Sequence, residues 1–102
     1  MYLMNITFSL EPQVDMNECS GVVKEVFLNE LRSKSIISDF RVLELIKTPH
    51  GEAENTFTCQ LDLGDLNLLQ KVEDLYKPRL DHQLFIKYGE KCLNFTTVLR
   101  AL

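Results

Sequence analysis

Phe40-Arg41-Val42-Leu43-Glu44-Leu45-Ile46-Lys47 is predicted to be a β-strand, and it restricts the possible architectures more than any other stretch of the chain. Its two faces are both largely apolar, because Phe40, Val42 and Ile46 alternate with Leu43 and Leu45. A strand of this kind needs apolar cover on both faces. A chain of 102 residues has too few elements to supply that cover twice, so the stretch predicts a second subunit.

Three further strands are predicted from the alternation of apolar and polar residues. They lie within residues 2–10, 56–63 and 91–102. The segment Thr48-Pro49-His50-Gly51-Glu52 is predicted to be a turn, because proline and glycine favour the backbone angles that turns require. The second and third strands are therefore expected to form a hairpin.

Two helices are predicted between these strands. Asp15 followed three residues later by Glu18 is typical of a helix start, and the helix is predicted to run to about Ser33 with an apolar stripe between Met16 and Phe27. Asp65 is predicted to cap a second helix, in which apolar residues recur at helical spacing. Pro78 is expected to break this second helix in two, because proline lacks a backbone N–H and its ring clashes with the preceding turn.

The predicted order of elements is β-α-β-β-α-β, which is typical of the ferredoxin-like α+β fold. Residues 1–102 are predicted to form one such domain, with an antiparallel sheet and both helices on one face. The other face would expose apolar residues such as Leu43, Leu45 and Val98. Pairing two sheets face to face would cover them, so we expect a homodimeric α/β barrel with these three residues at the interface.

Composition restricts the classes of function. The formal net charge of -4 provides no electrostatic reason to bind phosphate backbones, so no nucleic-acid partner is expected. No apolar run approaches the ~18 residues of a membrane span and no signal peptide is recognised, so we expect no membrane partner and a cytoplasmic location. Cys19, Cys59 and Cys92 follow no C-x-x-C pattern and are predicted to be buried thiols in a reducing compartment.

No known catalytic, cofactor or metal motif is present, and none of these sites is predicted. Five residues are candidates for contact with a small molecule: Glu30, Arg79, His82, Asn94 and Thr96. Glu30 falls near the centre of the apolar stripe of the first helix, where apolar surroundings would raise its pKa. Arg79 and His82 lie three residues apart on a helix, and Asn94 and Thr96 share one face of the last strand. The competing interpretation is that these side chains are solvated or form hydrogen bonds at an interface.

Short segments along the whole chain also resemble a known family. They are Tyr2-x-x-Asn5-Ile6-Thr7, Lys24-Glu25-Val26, Arg41-Val42-Leu43, Pro78-Arg79-Leu80 and Phe95-Thr96-Thr97-Val98-Leu99. Through them the chain is similar to the bacterial proteins described as domain of unknown function 4286. That family is similar in fold to the antibiotic biosynthesis monooxygenases. The resemblance implies a dimeric α/β barrel and no assigned activity.

Two functional interpretations follow from the sequence. The first is a non-catalytic homodimeric module that binds a protein or a small ligand. The second is a cofactor-independent, monooxygenase-like enzyme of the dimeric α/β barrel group, with a pocket between the helices and the sheet. The absence of tryptophan and the presence of only two histidines favour the first. A cavity of roughly a few hundred Å³ with convergent polar groups would favour the second, and a filled interior would argue against it.

Overall fold

The computed structural model describes all residues, 1–102, and its main feature is a four-stranded antiparallel sheet. The strands are, in chain order, β1 (Tyr2–Leu10), β2 (Asp39–Glu44), β3 (Lys47–Thr48), β4 (Gly51–Glu52), β5 (Thr56–Leu63) and β6 (Cys92–Arg100). The main sheet has the order β2-β5-β1-β6. The segment of chain that connects β2 to β5 contains β3 and β4, which form a separate two-stranded ribbon. This is the ferredoxin-like α+β fold predicted from the sequence.

Two helices connect the strands and pack on the same face of the sheet. Neither of them combines the length and the apolar character needed to cross a bilayer. Each contains a wide π-helical turn between two α-helical parts. The first helix consists of Met16–Val23, the π-helical turn Lys24–Leu28 and Asn29–Ser33. The second helix consists of Leu66–Lys71, the π-helical turn Val72–Tyr76 and Lys77–Tyr88.

Side-chain caps begin both helices, as the sequence predicts. The carboxylates of Asp15 and Asp65 each accept a hydrogen bond from a backbone N–H in the first turn, at 3.1 and 2.9 Å. Gly89 ends the second helix with a φ of 61°, a backbone angle that residues with a side chain adopt less readily. A single 3-10 turn, Gly89–Lys91, then leads into β6.

The π-helical turn of the first helix changes which residues face the core. The N–H of Asn29 donates to the carbonyl of Lys24, five residues earlier instead of four. One extra residue in a turn rotates the rest of a helix by about 100° relative to a regular α-helix. Leu31 therefore continues the buried stripe and is fully buried, while Glu30 is displaced to the side.

The break predicted near Pro78 takes the form of the second π-helical turn. The N–H of Lys77 donates to the carbonyl of Val72, and the helix then continues through Pro78 to Tyr88. The wide turn replaces the regular bonding pattern at the place where a proline ring would otherwise clash with the carbonyl one turn earlier. The second helix is thus irregular near Pro78 but is not divided into two separated helices.

The core fills the space between the helices and the covered face of the sheet. It is built on the central strands, whose inward side chains are almost completely buried: Met4, Ile6 and Phe8 of β1, and Phe57, Cys59, Leu61 and Leu63 of β5. The rings of Phe8 and Phe57 stack, with centroids 4.7 Å apart. Every buried side-chain nitrogen and oxygen has a hydrogen-bond partner. The interior therefore consists of packed apolar side chains with no unpaired polar group.

The other face of the sheet is uncovered and has apolar edges with a polar centre. On the β6 edge, Leu93, Phe95 and Leu99 expose 63%, 60% and 55% of their surface. Leu43, on the β2 edge, is 47% exposed. The strands between these edges present mainly polar side chains: Asn5 and Thr7 of β1, and Thr58 and Gln60 of β5.

The predicted interface residues lie in different places. Leu43 is on the open face, as expected, and Leu45 lies just beyond β2, half-buried, with its N–H bonded to the carbonyl of Thr56 at 2.9 Å. The prediction for Val98 is wrong, because this residue pairs with the buried Met4 and faces the helices. Ile46 also lies outside β2 and is 64% exposed, so it does not extend the covered face of that strand.

Replacing Phe57 by alanine is expected to lower the free energy of unfolding by about 3–5 kcal/mol, because the change leaves a cavity beside Phe8. Phe85→Ala is the matched control, since Phe85 is 61% exposed, and its expected cost is below about 1 kcal/mol. Urea unfolding measures both values. Equal losses for the two variants would contradict the assignment of Phe57 to the core.

Candidate functional site

Glu30 connects the end of the first helix to the second helix. Its Oε1 accepts a hydrogen bond from Lys34 Nζ at 3.0 Å and another from Arg79 Nη2 at 3.2 Å. Both cations lie over the ring of Tyr76, at 5.5 and 5.0 Å from its centroid. Two of the five candidate residues are thus in contact, within a cluster that holds the two helices together.

The electrostatics of Glu30 differ from the sequence-based expectation. The hydrogen bond from Lys34 holds the pKa of this carboxyl below its ordinary value, and the charge of Arg79 adds to the effect. The hypothesis of a raised pKa is wrong, and the competing interpretation, in which Glu30 reaches the surface, agrees with the structure. The π-helical turn directs Leu31, instead of Glu30, into apolar surroundings. A carboxylate with two cationic partners is a weak base, so this cluster is suited to stabilising the helix ends and not to removing a proton.

Asn94 lines the largest groove of the molecule, which lies between the second helix and β6. This groove has a volume of about 340 Å³. Its Oδ1 accepts a hydrogen bond from Lys77 Nζ at 2.7 Å, and its Nδ2 donates to Asp81 Oδ1 at 3.1 Å. Lys77 also donates to Asp81 at 2.8 Å. Apolar side chains complete much of the lining, among them Leu84 and Phe85. The groove therefore offers a polar cluster next to an apolar wall.

The remaining candidates lie outside this groove. Thr96 shares the face of Asn94, as the sequence predicts, but it is exposed and does not line the groove. His82 is exposed on the second helix and makes no side-chain hydrogen bond. The structure brings Glu30 to Arg79, but it does not gather the five candidates into one site.

The other grooves are smaller and also lie at the edges of the domain. Their volumes range from about 180 to about 240 Å³. No three side chains of histidine, cysteine, aspartate or glutamate lie close enough together to hold a metal ion. The space between the helices and the centre of the sheet is occupied by the apolar core.

All three cysteines are buried free thiols, as predicted. Burial raises the pKa of Cys59 to about 12, so its thiol stays protonated and is a poor nucleophile near neutral pH. Cys19 and Cys92 form a pair that the sequence does not predict, with their sulfur atoms 3.9 Å apart. No sequence signal indicates this contact, because the two residues are 73 positions apart and belong to different elements.

Glu30→Gln is expected to lower stability at neutral pH but not in strong acid. The pKa of Glu30 in the folded protein lies below its value in the unfolded chain, which is about 4.3. The stabilisation is therefore fully present above that unfolded value and is lost as the pH falls through the lower folded value. Urea unfolding of the wild type and the variant, from neutral pH to about pH 2, measures the difference.

Glu25→Gln provides the matched control, because Glu25 is on the same helix, is exposed and forms no ion pair. We expect a small effect of this change at every pH. If Glu30→Gln lowers the free energy of unfolding by the same amount at neutral and at acidic pH, the role assigned to the Lys34 and Arg79 contacts is contradicted.

Several solved structures share the fold. A dimeric ferredoxin-like protein from an uncultured marine organism is 14% identical, with a TM-score of 0.68 over 99% of this chain and 94% of that one. SnoaB from Streptomyces nogalater, a cofactor-independent oxygenase, is 8% identical, with a TM-score of 0.66 over 98% and 91%. An antibiotic biosynthesis monooxygenase is 9% identical, with a TM-score of 0.65 over 100% and 99%. At these identities the likeness establishes the ferredoxin-like fold alone.

Sequence comparison identifies the family. Among curated protein sequences the chain has no match. The family model described as Domain of unknown function (DUF4286) matches residues 1–102, which is the whole chain. The resemblance noted from the short segments is thereby confirmed, and the chain belongs to the DUF4286 family.

Proposed function

We propose that this protein is a non-catalytic homodimeric binding module whose two subunits pack through the open face of the sheet. The observation that carries the proposal is the β6 stripe, which we define as Leu93, Phe95 and Leu99. All three side chains are more than half exposed on a face that no element of the chain covers. Exposed apolar side chains concentrated on one surface are typical of interaction sites.

The geometry of the open face supports a second copy of the same chain as the partner. A two-fold interface uses one surface patch twice, so a patch with apolar edges and a polar centre can match itself. Leu43 supplies an apolar side chain on the edge opposite the β6 stripe. Similar solved structures from marine and Bacteroides fragilis sources are described as dimeric, which is consistent with this arrangement.

An enzyme of the monooxygenase-like group is the second candidate function, and the fold shared with SnoaB supports it. Ligand and substrate sites are usually concave pockets with a few convergent polar groups. In this chain the space between helices and sheet, where that group was expected to have its pocket, is filled by the core, and the groove beside Asn94 lies at the edge of the domain. The carboxylate of Glu30 is paired with two cations. These features support the non-catalytic proposal over the enzymatic one.

We propose the groove beside Asn94 as the place where the module contacts a small molecule. Its volume of about 340 Å³ and its mixed lining support this choice.

We also propose a cytoplasmic location, which the three free thiols support because reducing compartments keep cysteines unpaired.

Light scattering over a dilution series is expected to give twice the chain mass for the wild type and the single-chain mass for Phe95→Glu. A carboxylate in the β6 stripe would have to lose its water when the two sheets associate, which is costly. Leu43→Glu is expected to weaken the dimer in the same way, from the other edge of the face.

Ile86→Glu is the control for these charge changes. Ile86 is 71% exposed but lies on the second helix, which packs against the other face of the sheet. We expect this variant to remain dimeric. A monomeric wild type at all concentrations, or equal dissociation by Ile86→Glu and Phe95→Glu, would overturn the proposed interface.

Fragment binding followed by backbone amide chemical shifts tests the groove. We expect shifts at Leu93 and Asn94 on addition of small amphipathic amides, and a weakening of at least about fivefold in Asn94→Ala. His82→Ala is the control, because His82 lies outside the groove. Shifts concentrated around Glu30 or His82 instead would contradict the choice of this groove.

A further inference from the structure

The buried thiols of Cys19 and Cys92 join two parts of the fold that are distant in sequence. Cys19 is on the first helix and Cys92 is the first residue of β6. Their sulfur atoms are 3.9 Å apart, a distance that leaves no room for another atom between them. The contact is therefore direct, between two side chains that are both able to react with sulfur.

The two thiols differ in their access to solvent. Cys92 is 8% exposed and belongs to the wall of the groove between the second helix and β6. Cys19 is fully buried. Glu18 and Tyr88, which are joined by a hydrogen bond of 2.9 Å, connect the first helix to the second helix next to it. A reagent that enters the groove therefore meets Cys92 first.

We propose that Cys19 and Cys92 are a reversible dithiol–disulfide site, in which Cys92 reacts first with a low-molecular-weight disulfide and Cys19 then completes the cross-link. This site is distinct from the proposed dimer interface, because Cys92 faces the helices and the β6 stripe points to the opposite face of the sheet, although Leu93 of that stripe also borders the groove. A cysteine pair of this kind is compatible with a reducing compartment, where disulfides are transient and report on redox conditions.

The reaction consists of two exchange steps. In the first, the Cys92 sulfur attacks one sulfur of the small disulfide, whose S–S bond breaks, and the thiolate that leaves takes the Cys92 proton. In the second, the Cys19 sulfur attacks the Cys92 sulfur, the mixed disulfide breaks, and the second small thiolate leaves with the Cys19 proton. Two protein thiols are oxidised by two electrons in total, and one small disulfide is reduced to two thiols.

The protonation of the pair agrees with this order. The hydrogen bond between the two thiols raises the pKa of Cys19 and lowers the pKa of Cys92. Cys92 therefore loses its proton first, and the thiolate is the reactive form of a cysteine. The more exposed sulfur is also the better nucleophile of the two.

The backbone next to Cys92 has room to adjust. A disulfide bond is about 2.05 Å long, so the two sulfur atoms must approach by about 2 Å. Cys92 directly follows the 3-10 turn Gly89–Lys91, and Gly89 has nothing near the position of a missing Cβ. Rotation of the two side chains, together with a small shift of this turn, would complete the approach. The cross-link would then fix one wall of the groove to the first helix.

Oxidised glutathione added to the purified full-length protein is the experimental probe. We expect the intact mass of the wild type to fall by two hydrogens, and a non-reducing peptide map to join the peptides that contain Cys19 and Cys92. Cys59 is expected to remain a free thiol. The urea midpoint is expected to rise on oxidation, because the cross-link restricts the unfolded chain, and to return with dithiothreitol.

Single-cysteine changes test the order of the two steps. Cys19→Ala is expected to stop at a stable adduct of one glutathione on Cys92. Cys92→Ala is expected to react at least about tenfold more slowly at the buried Cys19. Cys59→Ala is the matched control and should behave like the wild type.

Circular dichroism establishes that each variant is folded, and the peptide map of the wild type does not depend on any variant. A wild type that keeps three free thiols while it remains folded in oxidised glutathione would overturn the proposal. Equal reaction rates of Cys19→Ala and Cys92→Ala would overturn the assignment of Cys92 as the first thiol to react.

Discussion

Two helices can cover only one face of a four-stranded sheet, and this restriction governs the rest of the molecule. The covered face carries the inward side chains of β1 and β5, which form the greater part of the sheet's contribution to the core. The uncovered face cannot be apolar throughout, because it would then promote unspecific association. Its centre is accordingly polar, and its outer strands carry the apolar side chains, most of them on β6. The buried apolar face and the polar centre of the other face have the same origin.

The sequence best predicted the strands that have one buried face and one exposed face. β1 and β5 have the predicted bounds, because strict alternation along a half-buried strand records both its length and its inward face. β6 alternates as clearly, but it is an edge strand with exposed side chains in both directions. Its alternation identified two faces without indicating which one met the helices, and Val98 was assigned to the wrong one. Because β6 is only weakly buried, its sequence does not indicate which face meets the helices.

The candidate site was less predictable because it depends on helix irregularities and on contacts between distant residues. A regular helical period cannot include a π-helical turn, and this turn displaced Glu30 from the apolar stripe to the side, next to Arg79. The sequence offered Asn94 as a candidate, but its hydrogen-bond partners on the second helix became apparent only when that helix was placed against β6. The sequence could name single candidate residues, but it could not show which side chains lie next to them.

The position of β1 at the centre of the sheet also affects the order in which the structure can form during synthesis. β1 leaves the ribosome before β5 and β6, the strands with which it has to pair. At about 5–20 residues per second, its apolar side chains remain without partners for several seconds. Contacts between such distant segments also slow folding, since a long loop must close before they form. The apolar side chains of β1 are therefore open to association with other molecules until β5 and β6 have been made.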